Sequence, residues 1–517
     1  MRPSRPFKPA AVALLAGALA LAVAGATVGQ EALPGLRPPS GAVGQAPAPG
    51  SPGTPPSVLG AEANAPPGDP ARSVRQGRRR AAGPRLRRTR PPAAARVQAF
   101  VRAPVISPRV APEVEAPLIG LPDPAEPPES RRRPRPPETD PYAPLGLRAG
   151  NVLLFPSIEQ SAGYDTNPNQ VARNPQSSVL HRTEGRLRVD SDFPVHALTG
   201  ELRGAYSLYP DAPEADRPEA DGTLTLRLDV RRDLQFELGT RFDLDTQRPG
   251  SPDLDASVRN RPLTARGGVL AGATQTFNRL SLRLRGTVDR AVFEDAELRN
   301  GQTLDQSDRD NTEVEGQLRA GFELSPGMTP FVEGTADTRV YDRRLDNAGF
   351  ARRSVGNGAS VGSTFELSRF LTGEALVGYE QRDYEDPRLE RAKGPLADAS
   401  LLWTVTPLTS VRLRAVSRIE ETTVLNASGV LSERATLELR HDLRRNLSLI
   451  GSASLYRADY RGTPIKEDGV TLSARAEYRL TRSVAVRAEF THDRLRSTVP
   501  GSDYTQNVFL AGLRFQP

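Results

Sequence analysis

The sequence predicts an all-β fold: a transmembrane antiparallel up-and-down β-barrel of about 18 strands (16–18), preceded by a disordered Pro/Arg-rich segment. Three observations lead there. Segments of roughly 10–14 residues alternate apolar and polar side chains, the period of a strand. The connections between them alternate short and long. Charge and proline divide the chain in two near Gly146.

The 517 residues carry 69 Lys+Arg and 62 Asp+Glu, a net charge of +7. Residues 1–146 hold 20 basic and 10 acidic residues and 30 of the 48 prolines, which leaves 49 basic and 52 acidic residues for 147–517. The excess positive charge therefore belongs to the first part, and a nucleic-acid reading of the whole chain fails. With no cysteine there is no disulfide framework, thiolate metal site or cysteine nucleophile.

Residues 1–26 have the form of a signal peptide: basic Arg2, Arg5 and Lys8, an uncharged apolar run from Ala10, and a small-residue cleavage site at Ala24-Gly25-Ala26. Residues 27–146 then read as a disordered, basic, Pro-rich periplasmic leader, with few aromatics and no strand or helix period. Its arginine clusters, from Arg75 to Arg90 and from Arg131 to Arg135, read either as a tether to a periplasmic anionic polymer or export partner or as a solvated linker. An exported segment does not meet nucleic acid.

Residues 147–517 form the expected outer-membrane β-barrel. Leu224, Leu226, Leu228 and Val230 share one face of a strand, with Thr225, Arg227 and Asp229 on the other. After Arg231-Arg232-Asp233, Leu234, Phe236, Leu238 and Phe242 repeat the pattern. It recurs at Leu280-Leu282-Leu284, Val314-Leu318-Phe322, Val411-Leu413, Leu437-Leu439-Leu443, Val470-Leu472 and Val484-Val486. In a helix such a period would spiral around the cylinder. Eight short turns, such as Asn278-Arg279 and Arg444-Arg445-Asn446, alternate with nine long connections, such as 247–261 and 461–469. Sandwiches and propellers do not alternate in this way, whereas transmembrane barrels have short periplasmic turns and long external loops.

In that architecture the apolar face meets lipid and the polar face lines the lumen. The lumen-facing candidates are Arg227, Arg241, Arg283, Arg285, Arg412, Arg414, Glu438, Arg475, Glu477, Arg487 and Glu489. Arginine predominates among them, so a mild anion preference is expected unless facing ion pairs cancel it. Few aromatics fall on the inward parity. Phe155, Tyr206, Tyr209, Tyr341, Tyr379, Tyr384, Trp403, Tyr456, Tyr460, Tyr478 and Tyr504 are candidates for interface girdles, with ordinary strand packing as the alternative.

The first strand runs into its loop through Gly163-Tyr164-Asp165-Thr166-Asn167-Pro168, where Asn167-Pro168 favours a turn. The last strand places Phe509, Ala511, Leu513 and Phe515 on one face. With the Pro-rich leader and the strand array, these residues resemble the outer-membrane beta-barrel porin family of proteobacteria, whose first strand often reads G-Y-D-x-N-P. That resemblance implies an outer-membrane barrel, and some members accompany exopolysaccharide export. It also implies recognition of the C-terminal strand ending at Phe515 by the barrel-assembly machinery.

Catalytic, cofactor and metal sites are not expected. His181, His196, His441 and His492 are scattered, and the Gly356–Gly362 run lacks the lysine of a phosphate loop. Localisation is the bacterial outer membrane, with outer-membrane lipid and lipopolysaccharide as surroundings. The expected function is a channel for hydrophilic solutes, either a porin-like diffusion pore or a polysaccharide-export channel. The alternative is a plugged structural or partner-binding barrel that acts through its long loops or its leader.

Overall fold

The computed structural model describes residues 141–517 apart from Asp255, Ala256 and Arg369. The expected signal peptide and most of the leader lie outside the described residues. Eighteen long strands follow one another. They are β1 (Val152–Asp165), β2 (Ser178–Ser191), β3 (Ala197–Leu208), β4 (Arg217–Asp229), β5 (Leu234–Thr246) and β6 (Leu263–Phe277). Next come β7 (Leu280–Phe293), β8 (Asn311–Phe322), β9 (Met328–Tyr341), β10 (Ser354–Ser368), β11 (Leu371–Tyr384) and β12 (Ala392–Thr406). The set ends with β13 (Thr409–Glu420), β14 (Gly429–Arg444), β15 (Leu447–Arg461), β16 (Lys466–Arg479), β17 (Val484–Ser497) and β18 (Tyr504–Phe515).

Each strand pairs antiparallel with its sequence neighbours, and β18 pairs with β1 from Ile158 opposite Phe515 to Asp165 opposite Val508. The sheet is thus a closed barrel. Followed once around the wall, the register returns to β1 displaced by ~22 residues, a shear that tilts 18 strands by about 40°. The eight connections at one end are two to five residues long. In the two-residue turn between β6 and β7, Asn278 takes a positive φ of 56, which asparagine tolerates. The connections at the other end are longer, with one departure. The sequence pattern suggested a loop over 461–469, but β15 and β16 stay paired up to Asp459 opposite Lys466. Only 462–465 remains unpaired, and Gly462 turns the chain at φ 90.

The barrel is inside-out relative to a soluble fold. Leu284, Val361, Val377 and Leu455 are each more than half exposed, while Arg203, Arg285, Arg339 and Arg487 are almost fully buried. Strand alternation separates the two sets completely: Leu282 and Leu284 take one face of β7, Arg283 and Arg285 the other. An apolar exterior around a charged interior suits lipid outside and water within. Buried apolar clusters occur at the long-loop end. One joins Leu180, Tyr209, Ala215, Val508 and Leu510; another joins Ala427, Val430, Tyr456, Tyr460, Leu495 and Tyr504.

The G-Y-D-x-N-P residues stitch the closing seam. Asp165 is fully buried; its carboxylate accepts from the Asn167 backbone N–H (2.9 Å) and from Gln506 Nε2 on β18 (2.6 Å). Asn167 Nδ2 donates to the carbonyls of Val171 (2.9 Å) and Thr505 (3.1 Å). Tyr164 points outward and its hydroxyl donates to Ser177 Oγ. A Cβ on Gly163 would sit 1.8 Å from the Phe509 carbonyl oxygen. Only glycine lets the two strands approach so closely. Below the seam β18 has ended, and Leu147–Ala149 pairs with the start of β1 instead, Ala149 opposite Val152.

Gly163→Val is expected to block seam closure. Unboiled gel mobility would report it as loss of the compact, heat-modifiable band. An unchanged band and melting midpoint would refute the role given to this glycine.

Candidate functional site

The inner wall is built from one parity of every strand, so side chains from neighbouring and next-neighbouring strands meet there. Arginines from one strand reach carboxylates on another. Arg241 pairs with Asp289 (2.6 Å) and Arg285 with Glu237 (2.9 Å), each spanning β5 and β7 across the intervening β6. Arg319 holds Glu333 and Glu374, and Arg382 holds Glu313 and Asp337. Beside the seam, Arg487 bridges Glu477 and Glu159, while Arg475 pairs with Glu489 (2.9 Å). Arg227 pairs with Asp229 (3.2 Å) within β4, and Arg412 and Glu438 stand 4.0 Å apart. Arg414 lies in register with Ser400 and Thr436. Arg283 lies beside Arg319 and makes no ion pair among the described residues.

Most of the sequence-derived candidates thus sit in a laced wall of ion pairs. Removing one partner of a desolvated pair costs about 3–5 kcal/mol, because the other charge is left uncompensated. The Gly356–Gly362 run belongs to this wall. A Cβ at Gly356 would meet the Asp337 carboxylate at 2.2 Å, and one at Gly362 the Phe331 ring at 2.5 Å. These glycines make room for inner side chains of the adjacent strand. Aromatics are more frequent inside than strand parity suggested, but arginines cover them. Arg188 lies over Phe155 (4.2 Å), Arg319 over Phe331 (3.9 Å) and Arg434 over Tyr456 (5.0 Å). Of the girdle candidates, Tyr206, Tyr379, Trp403 and Tyr478 are exposed on the outer face, whereas Tyr209, Tyr456, Tyr460 and Tyr504 are buried.

Sequence reasoning missed the mouth at the long-loop end. Loop 247–262, between β5 and β6, reaches partners far around the barrel. Arg248 is 2% exposed; it donates to the Ser502 carbonyl (3.1 Å), faces Glu467 at 3.8 Å and lies over the Tyr504 ring. Further along the loop, the Asp253 carboxylate accepts from Thr422 Oγ1 (2.6 Å), the Thr423 backbone N–H (3.1 Å) and the Tyr460 hydroxyl (3.4 Å). Leu254 and Val258 pack against Ala296 of the next loop. Arg261 donates to the Pro168 carbonyl (3.1 Å).

Other loops join this closure. Arg309 donates to Gln247 Oε1 (2.8 Å) and pairs with Glu421 (3.4 Å). Arg352, 2% exposed, pairs with Asp346 and donates to the carbonyls of Thr422 (2.7 Å), Ala427 (2.8 Å) and Val424 (3.1 Å). In loop 385–391 a two-point hydrogen bond from Arg388 holds the Asp386 carboxyl well below the usual carboxylate range. Spacing alone could not reveal these contacts, because they join residues up to 254 positions apart.

The four histidines are dispersed, with His441 bonded to Thr409 Oγ1 and His492 to Asn507. Among the described residues no group of His, Asp or Glu could hold a metal ion.

A family model described as "Putative beta-barrel porin 2" matches residues 140–517. No curated protein matches the chain. Among solved structures, Pseudomonas aeruginosa OccK2 in complex with glucuronate aligns at 10% identity and a TM-score of 0.36, covering 70% of this chain and 98% of that one. OpdQ of the same organism aligns at 9% and 0.36, covering 71% and 98%. The ferric citrate transporter FecA, unliganded, aligns at 12% and 0.31, covering 67% and 60%.

Arg352→Ala should leave the buried Thr422 and Ala427 carbonyls unpaired, remove one of the two donors to the Val424 carbonyl and free loop 421–428, at a cost of about 3 kcal/mol. Hydrogen exchange of residues 422–428 is expected to accelerate by roughly a hundredfold, with the strands below unaffected. Unchanged protection would show that the loop does not depend on this guanidinium.

Proposed function

The chain belongs to the beta-barrel porin 2 family, and on that premise we propose that it is an outer-membrane channel for hydrophilic solutes, narrowed at its external mouth by loop 247–262. The observation that carries this reading is the charged inner face of a closed 18-strand barrel. A barrel of this strand number leaves an aqueous lumen unless something fills it. Arginine–carboxylate lacing makes the wall wettable and nearly self-neutralising, so ion selectivity is weak and passage depends mainly on size. The lumen-facing residues would act as that lining, with Arg283 the wall arginine best placed to attract an anion. Export of polysaccharide remains a special case of the same channel, supported by the family resemblance alone.

The proposal includes a cleaved signal near Ala26 and a leader, 27–146, on the periplasmic side, where its arginines could meet an anionic polymer or an export partner. The assembly machinery would read the strand ending at Phe515. A second reading is favoured by one specific observation, the buried ties that Arg248, Asp253, Arg309 and Arg352 make across the mouth. In it the barrel is closed and acts through its external loops.

Planar-bilayer conductance separates the two. The full-length barrel should give small, steady, weakly selective openings. Replacing 249–258 with a short Gly-Ser linker should raise single-channel conductance at least threefold. Silence from both proteins would sink the channel and favour the closed barrel. Large openings in the unaltered protein would sink the narrowing by the loop.

A further inference from the structure

The outer face carries one strongly basic patch at the long-loop end. Arg457 on β15, Lys466 on β16, and Arg494 and Arg496 on β17 are all exposed. They occupy the strand parity that lower down presents Leu455, Val470 and Leu472. The register sets them side by side: Arg457 lies opposite Asp468, Asp468 opposite Arg496, Val470 opposite Arg494, and Asp459 opposite Lys466. Neighbouring strands are about 4.8 Å apart and same-face residues ~7 Å apart along a strand. The four cations therefore fall within the span of one lipid headgroup.

Three carboxylates share the patch but do not neutralise it; one of them, Asp503, accepts from the Ser497 backbone N–H and stands level with Arg496. Asp468 pairs with Arg457 (3.6 Å) and Asp459 with Arg461 (3.3 Å). Lys466, Arg494 and Arg496 make no ion pair among the described residues. Some exposed cations at this end are matched, Arg290 with Asp342, Arg344 with Glu385, and Arg391 with Asp383, whereas Arg353 and Lys393, also exposed, make no ion pair among the described residues. The outer face of β1–β3 ends instead in Tyr164, Val179, Tyr206 and Leu208. This sector of the rim thus sets three cations without an ion pair, Lys466, Arg494 and Arg496, on two neighbouring strands.

We infer that Lys466, Arg494 and Arg496, with Arg457, form a docking surface for the phosphorylated headgroup of an outer-leaflet glycolipid. Leu455, Val470 and Leu472 directly beneath receive its acyl chains. The inference rests on the outer-membrane reading, with the long connections facing outward. Two features of the patch match such a lipid. Cations stand at headgroup depth, where each basic residue near an anionic surface contributes on the order of 1 kcal/mol, about fivefold in affinity. Apolar side chains continue along the same strands into the membrane. A soluble anion would use only the upper half of this surface.

The test uses the full chain, purified in detergent and incubated with bis-phosphorylated lipid A. Free lipid is removed by size exclusion and retained lipid is measured by native mass spectrometry. The unaltered protein should retain it. Lys466→Gln/Arg494→Gln/Arg496→Gln should retain at least tenfold less, while Arg344→Gln/Arg391→Gln retains as much as the parent. Unboiled gel mobility verifies folding. Should the triple variant not fold, Arg494→Gln and Arg496→Gln are measured singly, each with about a fivefold loss. Equal retention by the folded variants would overturn the inference. So would equal retention of dephosphorylated lipid A, or displacement by millimolar inorganic phosphate, which would identify a free-anion site. Conductance should be unchanged in these variants, so loss of lipid and loss of channel activity are separate failures.

Discussion

Within lipid no water is available to satisfy an unpaired backbone group, so a sheet can cross only if it has no free edge. Everything else in this molecule depends on the pairing of β1 with β18. The seam is also where local sequence is most constrained. Gly163 permits the approach of the Phe509 carbonyl, and Asp165 and Asn167 bond across to Gln506 and Thr505. Once that ring is shut, the remaining strands need only alternate.

Closure reverses the usual distribution of polarity. The exterior solves the lipid problem with Leu and Val, and the interior must then hold charge. It does so by placing arginines and carboxylates on the same parity of adjacent and next-adjacent strands, as with Arg487, Glu477 and Glu159. The loops extend this principle over the mouth. There the guanidinium of Arg352 binds backbone carbonyls in place of carboxylates, tying a neighbouring loop down.

The strands were legible because they obey a local rule with a period of two. Arg283 and Arg285 against Leu282 and Leu284 can be read without knowing any neighbour. The family resemblance was legible because it rests on six contiguous residues. The mouth was not, since Arg248 reaching Ser502 or Asp253 reaching Tyr460 leaves no trace in spacing. Inward aromatics were undercounted for a related reason. Tyr456 and Tyr460 keep the strand period on the buried parity, and what packs against them, Ala427 and Val424 of a distant loop, leaves no trace in spacing.

The short strand Leu147–Ala149 has a consequence for the barrel's independence from what precedes it. β18 stops at Phe515, opposite Ile158, so the first residues of β1 have no partner on that side except this segment. Arg148 adds an ion pair to Asp192, and Arg482 donates to the Pro141 carbonyl. Residues 147–149 are therefore part of the wall. Without them, the start of β1 would present open donors and acceptors at the short-turn rim, a template on which a strand from another chain could add itself.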